Sequence, residues 1–74
     1  MIDMSHQTTV VITREGKWYV ARSAELGVVS QGRTIDEAKQ NLKEAVELYL
    51  EDQPEERETL PTEESASLVT TLTV

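Results

Sequence analysis

Residues Trp18 to Leu50 read WYVARSAELGVVSQGRTIDEAKQNLKEAVELYL, and they contain two predicted strands followed by the predicted helix. Strand-forming residues alternate from Trp18 to Ser23, and a second short strand is predicted from Val28 to Gln31, ended by Gly32. Between the two strands, Glu25-Leu26-Gly27 is predicted to form a turn. The strands follow each other with almost no spare residues, which is typical of a compact sheet.

A helix is predicted to begin at Thr34, three residues before Glu37, which is the spacing of a capping box. The Thr34 hydroxyl can accept a hydrogen bond from the Glu37 amide, while the Glu37 carboxylate reaches back to the Thr34 amide. Pro54 is expected to end the helix by Asp52, because proline supplies no amide hydrogen. One apolar stripe is predicted to pack on the sheet, formed by Ile35, Ala38, Leu42, Ala45, Val46 and Tyr49.

An earlier strand is predicted from Thr8 to Arg14, where most residues are β-branched and lose little freedom in an extended chain. Gly16, in Glu15-Gly16-Lys17, can take a positive φ and so allows a tight hairpin into the strand from Trp18. Residues 1–7 show no pattern and are expected to be a flexible start.

Residues 53–65 hold two prolines, five glutamates and a single large apolar residue, Leu60, and are expected to form a solvated acidic loop. Residues 66–74 alternate again and are predicted to be a final strand, beside the first in the order 3-2-1-4 and parallel to it, after a right-handed crossover. The whole chain, residues 1–74, is therefore predicted to be one α+β domain of order β-β-β-α-β. One helix packs on a mostly antiparallel four-stranded sheet.

The small size of the chain favours self-association, because 74 residues bury only a small core. There is no cysteine, which excludes disulfides, thiolate metal sites and thiol nucleophiles. No apolar run approaches the ~18 residues of a membrane span, and residues 1–7 lack the features of a signal peptide. The sequence predicts a soluble, cytoplasmic protein that does not bind membranes.

Charge is distributed unevenly along the chain, whose formal net charge is −7. Residues 1–33 carry a net +1, so residues 34–74 carry the remaining −8. An acidic surface repels phosphate backbones and attracts basic partners, which argues against direct nucleic-acid binding by this chain alone. Such a surface can also serve solubility alone, and the sequence leaves both interpretations open.

The ionisable side chains argue against an enzyme. The single histidine, His6, lies in the predicted flexible start, where a general base has no fixed geometry. No serine lies in a G-x-S-x-G motif, no phosphate-binding loop is present, and the acids do not converge from strands. We therefore expect no catalytic residue, metal or cofactor, and the sequence favours a binding module.

Several short motifs resemble the HicB family of antitoxins and their stand-alone relatives. The resemblance covers roughly residues 8–52 and lies in Trp18-Tyr19-Val20-Ala21, Glu25-Leu26-Gly27, Val29 to Thr34, Glu37-Ala38 and Glu44 to Leu50. It implies a partial RNase H-like fold without catalytic acids, assembly into dimers or tetramers, and neutralisation of a small basic HicA-like RNA-cleaving toxin by direct binding.

The chain departs from the family pattern in two places. Family members usually have a proline between the leucine and glycine of the turn, whereas Leu26 is followed directly by Gly27. Full-length HicB antitoxins also carry a C-terminal DNA-binding segment beyond the last strand, so operator binding by this chain alone is not expected. A stand-alone oligomeric domain with a structural or regulatory role is therefore the alternative.

These inferences define two sets of candidate residues. The partner-binding set contains Trp18, Arg22, Glu25, Glu55, Glu56 and Glu58. The structural set contains Gly16, Gly27, Gly32, Thr34, Glu37, Leu42 and Tyr49.

Overall fold

A computed structural model describes residues 6–60 and 71–73 of the chain. The elements in chain order are strands β1 (Gln7–Glu15), β2 (Trp18–Ser23) and β3 (Val29–Gly32), helix α1 (Ile35–Asp52), a 3₁₀ helix (Pro54–Thr59) and strand β4 (Thr71–Thr73). The strands form one sheet in the order β3-β2-β1-β4, and every neighbouring pair is antiparallel. The predicted α+β class, with one helix and a four-stranded sheet, is confirmed.

The β1–β2 hairpin forms as the sequence predicts. Gly16 has a φ of 62°, and Glu15 pairs with Trp18 on either side of the turn. The strand begins earlier than expected, because Gln7 already belongs to β1 and His6 forms a β-bridge. The predicted flexible start is therefore wrong for these two residues, and its remainder lies outside the described part of the chain.

The start of α1 has half of the predicted capping box. The Glu37 amide donates to the Thr34 hydroxyl over 3.0 Å, as expected. The Glu37 carboxylate, however, accepts from the amide of Arg33 over 3.3 Å and not from that of Thr34, so this part of the prediction is wrong. Both contacts still satisfy amides at the N-terminal end of the helix.

The core lies between α1 and one face of the sheet. The helix contributes to this core four buried residues at every fourth position: Ala38, Leu42, Val46 and Leu50. The predicted stripe included Ile35, which is 46% exposed at the first helical position, and omitted Leu50, which is 2% exposed. Leu50 extends the four-residue row, and such a row stays close to one side of a helix with 3.6 residues per turn.

The segment predicted as an acidic loop is partly ordered. Pro54 opens a 3₁₀ helix that runs to Thr59, and Leu60 after it is only 4% exposed. The single large apolar residue of this segment thus anchors it to the core. Residues 61–65 of the predicted loop lie outside the described residues.

The final strand has the predicted neighbour but the opposite direction. β4 lies beside β1, with Leu72 opposite Thr8, and the pairing is antiparallel, so the expected parallel strand and crossover are wrong. The ten residues between Leu60 and Thr71 could span about 33 Å when extended, which lets the chain enter β4 from either end. The rest of the predicted strand, residues 66–70 and 74, lies outside the described residues.

Candidate protein-binding site

A groove of about 590 Å³ lies where the C-terminal end of α1 meets the loop between β2 and β3. Val28 lines it from the loop, and the helix contributes both apolar and acidic side chains. The full lining consists of Val28, Ala45, Leu48, Tyr49, Glu51, Asp52 and Gln53. The groove therefore combines apolar side chains with two acidic ones, Glu51 and Asp52.

The periodicity of α1 explains why these side chains reach the surface. The row that ends at Leu50 is buried against the sheet, so Leu48 lies on a different side of the helix and is 67% exposed. Tyr49 lies between these two positions, half-buried, and packs against the core while also lining the groove. An exposed leucine beside a partly exposed tyrosine gives a partner apolar surface to bury.

The electrostatics at this end of α1 are one-sided. The last turn of the helix has no basic residue, and Glu51 and Asp52 are both exposed there. The 3₁₀ helix that follows adds Glu55, Glu56 and Glu58, with Arg57 as its one basic residue. Carboxylates near the negative end of a helix dipole are unfavourable, by about 0.3–1 kcal/mol each. A cation bound in the groove would relieve this repulsion.

A hydroxyl cluster ties the start of β1 to the end of β2. Thr8 and Ser23 are fully buried, and their hydroxyl oxygens lie 2.5 Å apart. Thr8 donates to the Glu25 carboxylate over 2.6 Å, so its only proton is used and Ser23 must donate to Thr8. The Ser23 oxygen in turn accepts from the Leu26 amide over 3.2 Å. The cluster thus closes the turn predicted at Glu25-Leu26-Gly27.

Glu25 is the charged end of this cluster. Its carboxylate also accepts from the Thr9 amide over 2.7 Å. Burial by itself would raise the pKa of Glu25, but the hydrogen bonds from Thr8 and Thr9 outweigh it and hold the pKa below its ordinary value. The contacts give Glu25, predicted as a partner-binding residue, a structural role in holding β1 to the turn after β2.

A second surface lies on the sheet face opposite α1, which we call the outer face. Strand alternation and register place on it Val11 of β1, Val29 of β3, and Trp18, Val20 and Arg22 of β2. Trp18 is 39% exposed, and the Arg33 guanidinium lies 5.4 Å from the centre of its ring, a cation–π distance. The outer face thus mixes apolar with polar side chains, because Thr13 and Gln31 flank Val20 and Glu15 pairs with Trp18.

The predicted partner-binding residues do not form one site. Trp18 and Arg22 share the outer face, with Trp18 at the hairpin end of β2. Residues Glu55, Glu56 and Glu58 lie in the 3₁₀ helix that follows α1. The end of α1 lines the groove together with Val28, which is at the opposite end of the sheet from the hairpin. The structure therefore separates the set into an acidic site and a sheet surface.

Sequence reasoning missed most of the groove. Asp52 and Glu51 lie two and three residues before Pro54, and two acids at a predicted helix C-terminus are a readable signal, since the dipole disfavours them. Leu48 carried a weaker signal as a leucine off the predicted stripe. The contribution of Val28 depends on how the loop folds back on α1, which no local pattern shows.

The predicted structural residues occupy constrained positions. Gly27 has a φ of 73° in the turn after β2, and Gly32 is buried against the start of α1. Thr34 and Glu37 cap the helix, and Leu42 is fully buried at its centre.

Within residues 6–60 and 71–73, no group of three or more histidine, cysteine or acidic side chains is arranged to hold a metal ion. No helix in the same part of the chain is long and apolar enough to cross a membrane. The chain matches no protein-family model, no curated protein and no solved structure at a significant level. The function is therefore inferred from the geometry of the groove and of the outer face.

Proposed function

We propose that this chain is a protein-binding module of the HicB antitoxin type, which neutralises a small, basic, HicA-like mRNA-cleaving toxin by binding it directly. The observation that carries the proposal is the groove at the end of α1, which is lined by the apolar Val28, Leu48 and Tyr49 together with the acidic Glu51 and Asp52. A ribonuclease must present a cationic surface to RNA, and that surface is complementary to this groove.

The acidic end of α1 supports a role in binding more than one in stability. Glu51 and Asp52 oppose the helix dipole, and the last turn offers no basic residue to compensate. Solubility would be served equally well by acids at the N-terminal end, where the dipole favours them, as it does at Asp36. Acids at the unfavourable end are expected when a cationic partner covers them.

The fold supports the proposal at the level of its elements. One helix on a four-stranded sheet of order β3-β2-β1-β4 agrees with the general plan expected for the family. The partial RNase H-like assignment belongs to this proposal, and the antiparallel direction of β4 departs from the topology expected for it.

Co-expression with a toxin tests the proposal. A small basic protein encoded beside this chain should arrest growth of a bacterial host when expressed alone, and this chain should restore growth and co-purify with the toxin. A variant carrying Glu51→Gln and Asp52→Asn should restore growth less well, whereas Asp36→Asn, at the other end of α1, should act like the unmodified chain. A folded chain that neither binds nor neutralises the neighbouring protein would refute the proposal.

A second candidate function is a stand-alone oligomeric domain with a structural or regulatory role and no toxin partner. The exposed apolar outer face favours it, because Val29 is 54% exposed and Trp18 is 39% exposed in a very small domain. The same co-expression experiment separates the two, since a stand-alone domain would assemble with itself and leave growth unaffected.

A further inference from the structure

The outer face exposes three large apolar side chains to solvent. Val11 is 38%, Trp18 39% and Val29 54% exposed, and the three residues lie on adjacent strands of one sheet. Val20, half-buried, lies between Trp18 and the pair formed by Val11 and Val29. Aromatic residues in such strips supply much of the binding energy of protein interfaces, and tryptophan is among the most enriched.

The edge of the sheet at β3 is a poorer surface for association than the outer face. The side-chain amide of Asn41 in α1 donates to the backbone carbonyl of Gln31 over 2.9 Å. This carbonyl of the edge strand β3 is therefore already hydrogen-bonded. Free edge groups are what a second strand would pair with, so an occupied carbonyl weakens edge-to-edge pairing. This favours association through the face over association through the β3 edge.

The charges on the outer face show how a second copy would pack. Glu15 pairs with Trp18 at the hairpin end of the face, and Arg22 lies four residues further along β2. Trp18 lies two residues before Val20 and Arg22 lies two residues after it, so each is about 6.6 Å from Val20 along the strand. Consider a two-fold axis that lies between two packed outer faces, perpendicular to the strands and level with Val20. This axis reverses the strand direction of the second copy, and it therefore brings Trp18 and Glu15 of each copy to Arg22 of the other. An axis along the strands would instead place the two Arg22 side chains at the same level, where they repel.

We infer that the outer face is a self-association surface on which a second copy of this chain packs with its strands antiparallel, Val20 lying on the two-fold axis. Arg22 of each copy then lies over the Trp18 ring of the other, on the side not covered by Arg33, and next to Glu15. The two contacts are identical, as two-fold symmetry requires. The surface is separate from the acidic groove, so the inference stands or falls independently of the proposed toxin.

Charge reversal at the two ends of the face tests both the surface and the direction of packing. Glu15→Arg and Arg22→Glu each place two like-charge contacts in the dimer, and each should raise the dimer dissociation constant at least about tenfold. Both residues are exposed, so both variants should keep the circular dichroism spectrum of the unmodified chain. Glu44→Arg, an exposed acid on α1, is the matched control and should leave the dissociation constant unchanged.

Mixing the two variants gives the decisive result. In the antiparallel dimer, a Glu15→Arg chain and an Arg22→Glu chain pair opposite charges at both contacts, so an equimolar mixture should dimerise in sedimentation velocity although neither variant does so alone. Packing with the axis along the strands would place residue 22 of one copy opposite residue 22 of the other, so each single variant would dimerise as the unmodified chain does and the mixture would dimerise more tightly. That result would overturn the inferred geometry. An unmodified chain that stays monomeric at all accessible concentrations, or single variants and a mixture that all match the unmodified chain, would overturn the surface itself.

Discussion

Gly32 lies so close to Ala38 that no larger residue fits between β3 and the start of α1. A Cβ atom on Gly32 would come within 2.5 Å of the Ala38 amide nitrogen and 2.8 Å of the Glu37 carbonyl carbon. The obstacle is backbone, which cannot rotate away as a flexible side chain does. This contact fixes how closely the N-terminal turn of the helix approaches the sheet.

Gly32→Ala should therefore destabilise the fold through overpacking, by about 1–3 kcal/mol or more. Urea denaturation followed by circular dichroism measures the loss. Gly16→Asn is the matched control: Gly16 has a positive φ but no neighbour within 4 Å of a Cβ, and asparagine tolerates that φ. Equal losses at the two glycines would show that the close approach to α1 is not what constrains Gly32.

Replacement of the central core residue should cost far more than removal of the helix cap. Leu42→Ala empties a fully buried position on α1 and should destabilise by about 2–5 kcal/mol. Thr34→Ala removes one hydrogen bond to the Glu37 amide and should cost about 0.5–2 kcal/mol. Urea melts of the two variants should keep this order, and the reverse order would contradict the assignment of the buried helix face.

Local chemistry predicted the elements of the fold, and non-local packing decided what it missed. The glycine turn at Gly16, the Thr34 cap and the helix end before Pro54 all depend on residues within a few positions of each other, and all three are present. The direction of β4 depends on a long connection that leaves both directions open, so the parallel prediction failed. Leu60 falls in a segment that the sequence predicts to be a solvated loop, because nothing nearby in the sequence shows what it packs against.

The sequence predicts the acidic charge of the candidate site, but it does not predict where on the fold the site lies. An acidic second half of the chain was evident from composition alone. That Val28 joins Leu48 and Asp52 in one groove depends on contacts between residues about 20 positions apart. The contact between Trp18 and Arg33 spans 15 positions and likewise needs the antiparallel register of β2 and β3.

The stability of the fold should depend on pH through Glu25. Its pKa is held below the ordinary 4.5 in the folded chain, so its contribution is fully present above that value and is lost as the pH falls through the folded pKa. Glu25→Gln keeps the shape but removes the charge that Thr8 and Thr9 contact. The variant should be less stable at pH 7, by under about 1 kcal/mol because the carboxylate is largely exposed.

The difference between the Glu25→Gln variant and the unmodified chain should shrink below about pH 4.5 and vanish in stronger acid. Thermal melts of both proteins from pH 3 to pH 7 measure it. Glu44→Gln, on the exposed side of α1, serves as the control and should show no such convergence. A constant difference across this range would mean that the charge of Glu25 does not stabilise the hydroxyl cluster.

The acids at the end of α1 should lower the stability of the isolated chain while they favour the binding of a basic partner. Replacing Glu51 with glutamine and Asp52 with asparagine removes two charges from the negative end of the helix dipole, which should stabilise the isolated chain by about 0.3–1 kcal/mol for each. Asp36→Asn, at the positive end, should do the opposite. Thermal melts at low salt should show both shifts, and both should diminish at high salt because such charges are screened.

Capture of a basic partner should depend on the acids of the 3₁₀ helix through long-range attraction. Replacing Glu55, Glu56 and Glu58 with glutamine should slow association with little change in the dissociation rate, because charges at the rim of an interface act mainly on encounter. The association rate of the unmodified chain should fall as salt rises, since the screening length is about 10 Å at 0.1 M. Stopped-flow or surface-binding kinetics at two salt concentrations measure both effects, with Glu44→Gln as a control away from the groove. An association rate that ignores salt and the three substitutions would remove the electrostatic basis of the proposed function.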